Sequence, residues 1–429
     1  MRTPKLFFHR LLPAALSFGT AWAARGQIGH EYGAAWAAAI GILTMIALSG
    51  REDWISRAPV IVALGAIAWG AGGMISYGKI VGYGHAGDFL NTSYGLTMLL
   101  IIGSLYGFLG GGITGLALES PGVKKVDWAA LFTQMTAGGF LFWGFFIYQL
   151  EWLMTPPRSE LWAGCMGAAL ALGWYLFRNG HAHALRTACF SALGAGFGFA
   201  FGNFLQRWGQ SSHLSFNWWN VMEYSIGFFG GLGMAYGIFC NNQWPAIGKT
   251  DKVYRQAGWL FLFILLPVIN LIEGVTKESL MAIGKNTGAA NPAAFAVSWQ
   301  YITWIMSLVF ILILLIVQQK LQNKPLKKNI AIITLFYFAW YILVSNFIGG
   351  TWLSTKFVSQ HLYWVNFLFL VLFLFQQRVP VGSTVNDAVS PAYAGLFLKL
   401  SILVFLLILL LSYVAVTYMP ASPTIQLRF

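Results

Sequence analysis

The sequence predicts an all-α polytopic integral membrane protein, and three observations lead to that class. Hydrophobic residues make up 58% of the 429 positions and charged residues only 9%, which leaves too little polar surface for a soluble globule of this size. Apolar runs of membrane-crossing length recur from end to end, so no stretch remains for a soluble domain. Basic residues gather on alternate connections between the runs, as they do where lipid sets the topology. The runs give about 13 transmembrane helices, centred near residues 18, 41, 67, 106, 139, 170, 195, 232, 266, 309, 338, 368 and 406.

Orientation follows from the basic residues. Seventeen lie on the side of the N-terminus, among them Arg51, Arg57, Lys124, Arg186, Lys249 and Lys327. Eight lie opposite: Arg25, Lys79, Arg158, Arg207, Lys277, Lys285, Lys356 and Arg428. The bias predicts a multi-pass cell (inner) membrane protein with a cytoplasmic N-terminus and an outer C-terminus. The net charge of +13 then serves topology and contact with anionic lipid heads. It is not gathered on one water-exposed face, so a nucleic-acid partner is not expected.

The first run ends in Ala21-Trp22-Ala23, like a secretory signal with its cleavage site. Retention is expected, because the same hairpin pattern recurs downstream. The recurrence sits in residues 1–250, which hold 40 of the 48 glycines. Tyr32, Tyr94, Trp162 and Tyr224 each follow the start of an even-numbered run, at steps of 62, 68 and 62 residues. This predicts that the first eight helices form four repeated Gly-rich helical hairpins, a building plan found in transporters. Gly103, Gly107, Gly111 and Gly115 fall at i+4 steps, as do Gly194, Gly198 and Gly202 and the trio Gly33, Ala37 and Gly41. Each set shares one helix face and predicts close backbone approach, within the bundle or in a homo-oligomer.

The outer turns of this module carry the unusual chemistry. The first, Arg25-Gly26-Gln27-Ile28-Gly29-His30-Glu31, places two opposite charges and a histidine between two apolar runs. The second holds Lys79, His85 and Asp88; the third Glu151, Arg158 and Glu160; the fourth Asn203, Arg207, His213, Trp218 and Glu223. Ionisable groups are costly near hydrocarbon and usually face a cavity, a partner or a substrate path. The candidate binding set is therefore Arg25, His30, Glu31, Lys79, His85, Asp88, Glu151, Asn203, Arg207, Trp218 and Glu223. Aromatic faces beside amides and carboxylates suit sugars, whereas paired cations suit carboxylates or phosphates. The bland alternative is that Arg25 and Glu31 pair across their turn and the tryptophans mark the membrane interface.

Metals and cofactors are not expected. The histidines show no His-x-x-His or Glu-x-x-His spacing, and no two lie mid-membrane as haem ligands. His181 and His183, in a short basic inner loop, read as solvated. Cys165, Cys189 and Cys240 read as small apolar residues, and Asn91-Thr92-Ser93 matches a glycosylation sequon.

Residues 251–429 form a Leu/Ile/Phe-rich module of about five helices with few internal polar groups. Leu308–Val317 and Leu403–Leu411 read as lipid-facing or structural helices. The long outer connection from Glu273 to Ser298 reads as a lid or an exposed loop.

Three functions fit. The leading one is a permease for a small polar solute, a sugar or an organic anion, bound near the outer face with proton coupling through His or Glu. The second is an integral-membrane enzyme working at the outer face on a lipid-linked saccharide or acyl substrate, although GxSxG and HExxH are absent. The third is a non-catalytic subunit of a membrane assembly. A P-loop is absent as well, which argues against an ATP-driven motor. A reporter fused after Phe429 is expected to read the outer compartment; a cytoplasmic signal would overturn the thirteen-span topology.

Overall fold

The computed structural model describes residues 6–28, 30–120, 126–156, 159–212, 214–240, 243–246, 248, 251–323, 327–353, 358–376, 382–384, 392–421 and 424–429. Side chains at 30–32, 322–323, 353, 358–359, 382–384 and 392 lie outside that description. The described chain is nearly all helical, with one parallel pair of short strands, β1 (Gln243–Pro245) and β2 (Gly382–Thr384). Among the described residues, eight helices are long and apolar enough to cross a membrane, and Gly33–Ser49 and Gln360–Leu374 are shorter apolar helices.

The first part of the chain forms α1 (Leu12–Ile28), α2 (His30–Ser49), α3 (Glu52–Gly73), the short α4 (Gly78–Gly84) and α5 (Phe89–Glu119). It continues with α6 (Trp128–Trp143), α7 (Leu161–Arg178), α8 (Ala182–Ser211) and α9 (Trp218–Phe239). Local chemistry sets several of the boundaries. Asp88, Asp127 and Asn217 cap α5, α6 and α9 by accepting from the backbone N–H three residues on. Gly50 and Gly180 end α2 and α7 at φ 68° and 69°, a conformation that side chains with a Cβ resist.

Six of these helices close a ring: α1 packs on α2, α2 on α3, α3 on α5, α5 on α8, α8 on α9, and α9 on α1. The four sequence hairpins are thus not equivalently placed, because α6 and α7 pair outside the ring and lean on α5. Glycine sets the tightest seams. A Cβ on Gly103 or Gly107 would strike the backbone of Ala195 or Ser191, and one on Gly115 would lie 2.8 Å from the Cα of Ala184. Gly194, Gly198 and Gly202 likewise face the backbone of α9, so α8 lies against both neighbours with no side chain between. Gly41 accommodates the Phe18 ring of α1.

Aromatic side chains fill the middle of the ring. Phe18 and Trp22 from α1, Trp69 from α3, Tyr106 from α5 and Phe199 from α8 form a chain of ring contacts at 4.9–6.0 Å. All five are essentially buried.

The remaining helices are α10 (Lys252–Leu260), α11 (Leu266–Gly274), α12 (Lys277–Asn286), α13 (Pro292–Asn323), α14 (Lys327–Gly349), α15 (Val358–Leu374) and α16 (Ala392–Tyr418). They flank the ring on different sides: α14 packs on α1 and α2, α10 on α3, and α16 on α5 and α8. Leu308, Leu312 and Ile316 of α13 and Leu403, Leu406 and Leu410 of α16 stay more than half exposed, a surface suited to hydrocarbon. The connection expected as a lid or loop holds α12, which packs against α13.

The two ends of the bundle differ in chemistry. One end gathers the turns near 28, 78–88, 203–211, 274, 349 and 419–429: Gly274 abuts Ile28, Gly349 abuts Gln27, and Gln426 N–H donates to Gly82 O at 3.1 Å. At the other end, Arg57 and Arg186 meet helix C-termini, where the dipole favours cations, and Arg51 meets strand β1. Arg57 donates to Ser120 O, Arg186 to Gly237 O, and Arg51 to Trp244 O and Pro245 O. His181 and His183 are buried here, contrary to the solvated loop expected. His181 stacks on Tyr175 and lies 3.6 Å from Glu119, and His183 stacks on Trp244 at 4.8 Å. The α7–α8 turn is too short to carry them into water, so aromatic neighbours cover them. Asn91, the sequon residue, is buried and bonds the backbone of Arg428 and Phe429.

Gly107→Leu is expected to destabilise the bundle by about 1–3 kcal/mol, the usual range for overpacking. Gly144→Ala, whose Cβ meets nothing within 4 Å, serves as the control. Thermal unfolding in detergent checks both, and an unchanged Gly107→Leu would contradict the close seam.

Candidate functional site

The ring brings Arg25 and Glu223 into direct contact. Arg25 lies near the end of α1 and Glu223 in the second turn of α9, 198 positions apart in sequence, and the α1–α9 seam aligns them. Arg25 Nη2 donates to Glu223 Oε2 at 2.9 Å, and both side chains have no solvent exposure. Tyr77, just ahead of α4, accepts from Arg25 Nη2 at 2.7 Å and donates to Glu223 Oε1 at 2.6 Å. The result is a closed triangle of charge-assisted hydrogen bonds.

Aromatic rings wall the triangle in. The guanidinium lies over Trp22 at 4.8 Å, and Tyr77 meets Phe199 edge-on and stacks on Trp219. From α14, Tyr341 donates to Gly33 O at 3.1 Å. A Cβ at Gly33 would lie 2.6 Å from the Arg25 side chain, so this glycine is what lets the arginine lie flat against α2. The triangle sits directly against the aromatic plug, because Trp22 belongs to both.

A second cluster lies nearer the bundle end. His85 is held between Asn203, at 3.2 Å from Nε2, and Thr424, at 3.0 Å from Nδ1. Arg207, 1% exposed, donates to Gly84 O, Ala86 O, Thr92 Oγ1 and Met419 O at 2.8–3.4 Å. Among the described residues no carboxylate pairs with it. Carbonyls at the ends of α4 and α16 take that place, which is the favourable end of the helix dipole. His85 lies between the membrane-spanning helices. Burial pushes its imidazole down to about 4, the nearby Arg207 charge acts the same way, and the Asn203 contact opposes.

The other sequence candidates lie at the margin. Lys79 reaches Gln426 at 3.2 Å on the surface. Asp88 caps α5, where hydrogen bonds from Asn91 hold its carboxyl below the usual range. Glu151 is exposed at φ 51° beyond the end of α6. Glu160 is consumed by the N–H groups of Met154 and Thr155 and the Trp162 indole. Trp218 lines a cavity described below. The side chains of His30 and Glu31, and all of Arg158 and His213, lie outside the described residues. Among those described, no group of three or more His, Cys, Asp or Glu is placed to hold a metal ion.

Two cavities flank the segment Phe216–Asn220, which covers the triangle on the side of the α8–α9 turn. One, of about 320 Å³, opens among Gly78, Gly82, Gln206, Gln210, Asn217, Trp218 and Trp219. The other, of about 290 Å³, lies among Ala23, Asn220, Tyr224, Tyr363 and Asn366. Asn220 donates to Tyr363 at 2.7 Å, while its Oδ1 is buried without a hydrogen-bond partner. Sequence reading left Tyr77, Gln206, Asn220 and Tyr363 off the candidate set. Nothing in the spacing of 25, 77 and 223 signals a shared site, since the three meet only through helix packing.

The chain matches no known protein family, no curated protein and no solved structure.

A sign follows for His85. An imidazole held near 4 in the fold and near 6.5 when unfolded binds more protons in the unfolded state between those values. Its contribution to stability is present above about pH 6.5 and fades as pH falls towards 4. The melting temperature is expected to drop across that window, and His85→Gln is expected to flatten the drop. An identical pH profile in the variant would remove His85 as its source.

Proposed function

We propose that this protein is a multi-pass membrane transporter for a small polar solute, a sugar or an organic anion, bound near the outer face. In this reading thirteen spans, the first eight built as four related hairpins, place the N-terminus in the cytoplasm and the triangle of Arg25, Tyr77 and Glu223 towards the outside.

One observation carries the reading: an arginine–glutamate pair with no solvent exposure, in the wall of a helix ring and against its aromatic plug. Desolvating both charges costs so much that well-packed apolar residues are often at least as stable, so stability alone does not account for the pair. Ionisable groups buried within spanning helices mark substrate or proton paths. The proposed cycle has Glu223 accept a proton as the Arg25 contact opens. The freed guanidinium and phenol then lose their partner, and the plug formed by Phe18, Trp22 and Trp69 shifts along the glycine seams. Closure restores the ion pair and releases the proton on the other side.

Proteoliposome uptake under an imposed pH gradient tests this, with hexoses and dicarboxylates as cargo. Glu223→Gln is nearly isosteric but leaves the buried Arg25 charge without its counter-charge. It is expected to lose at least tenfold in flux, with melting temperature measured alongside to separate lost transport from lost folding. Arg25→Ala strands a buried carboxylate, which costs about 3–5 kcal/mol, so the charge-free pair Arg25→Gln/Glu223→Gln is the cleaner companion. A double variant that folds and transports normally would reduce the triangle to a structural ion pair.

A further inference from the structure

We propose that the cavity between α4 and the α8–α9 turn is a binding site for a neutral polyhydroxylated solute of monosaccharide size. This rests on the transport reading and narrows its substrate class.

Four observations carry it. Among the described residues, no charged side chain lines the cavity. Of the nearby cations, Arg25 pairs with Glu223, Arg207 donates to four acceptors, and Lys79, beside Gly78, reaches the Gln426 amide on the surface. An anionic solute therefore finds no counter-charge in the described wall, and a neutral one needs none. The walls alternate aromatic faces with amides: Trp218, Trp219 and Phe216 beside Gln206, Gln210 and Asn217. The C–H face of a pyranose packs on indole while its hydroxyls seek amide partners, so this alternation suits a sugar ring. Gln206 is 3% exposed and its Oε1 has no hydrogen-bond partner. A buried carbonyl left unpaired costs roughly 1–3 kcal/mol, which a donating hydroxyl offsets. Finally, the volume of about 320 Å³ lies at the small end of ligand pockets.

Gly78 keeps the α4 wall low, since a Cβ there would meet nothing within 4 Å, whereas Gly82 admits the close approach of Gln426 and Thr424. The site is also wired to the ion pair. Trp219 lines the cavity and stacks on Tyr77 with ring centroids 6.2 Å apart, and the Tyr77 hydroxyl bonds both Arg25 and Glu223. A sugar that displaces the Trp219 ring displaces the phenol that braces the pair. Occupancy at the outer cavity thereby reaches the proton-accepting carboxylate without the solute touching it.

The test uses the purified full chain in detergent, titrated with D-glucose, D-galactose and D-mannose, and separately with citrate and inorganic phosphate. Tryptophan fluorescence and melting temperature are the readouts. A saturable change with at least one hexose and none with either anion is expected. Gln206→Leu and Trp218→Ala are each expected to weaken that binding at least tenfold at a melting temperature close to the parent. Trp218→Ala, at a half-buried position, decides the matter should Gln206→Leu not fold. No saturable hexose response, a response to the anions alone, or parent-like binding in both variants would overturn the site. Hexose binding without flux of hexose or dicarboxylate in proteoliposomes would support the site and remove the transport reading. Flux that both variants leave unchanged would keep transport and remove the site.

Discussion

The contact between Arg25 and Glu223 constrains the structure around it. Two opposite charges with no exposure to solvent must satisfy each other at hydrogen-bond distance, which fixes the rotation of α1 against α9. Tyr77 bonds both groups and so fixes where the chain re-enters the bundle after α3. Gly33 lets the arginine stem lie against α2, and Tyr341 ties that same backbone to α14. A single polar contact thus orients helices from both parts of the chain. Its aromatic walls exclude water, which strengthens the pair and raises the cost of opening it.

Glycine seams and the aromatic plug play complementary parts. Where glycine faces backbone, as along α5, α8 and α9, helices approach until no side chain separates them. Such seams are smooth, with little interlocking to resist sliding. The plug is the reverse: Phe18, Trp22, Trp69, Tyr106 and Phe199 interlock across the ring interior and close it. In the transport cycle proposed above, the smooth seams, the bulky centre and the charges against it would form the gate. The arginines at the opposite end are of another kind, since Arg57 and Arg186 neutralise helix C-termini and Arg51 ties β1 to the bundle.

Much of the fold was legible in the chain, because hydrocarbon imposes a strong local rule. Every spanning segment must satisfy its own backbone, so apolar runs become helices. Each of the thirteen centres read from hydropathy falls within a helix, while eight helices among the described residues are long and apolar enough to cross a membrane. Small residues at i+4 spacing pointed to close helix approach through a rule equally local, and Gly103, Gly107 and Gly115 face α8 as that rule implies. The candidate site was legible only in pieces. Arg25 and Glu223 stood out because charge is rare in such a sequence, and Asn203, His85 and Arg207 stood out for polarity. Which belonged together was not encoded locally: Asp88 turned out to cap a helix and Glu151 to sit exposed beyond one.

By itself, then, the sequence determined that this is a helical membrane protein, where its helices lie and which residues are expensive to bury. Those properties depend on composition and on periods of a few residues. Only the tertiary structure decided that α1 and α9 are neighbours, that Tyr77 bridges a pair formed across 198 positions, and that α6 and α7 stand outside the ring. It also decided that Gln206 borders a cavity with its carbonyl oxygen unpaired. Helix neighbours in a bundle are chosen by the sum of many weak contacts along whole faces, and that sum has no signature at any one position.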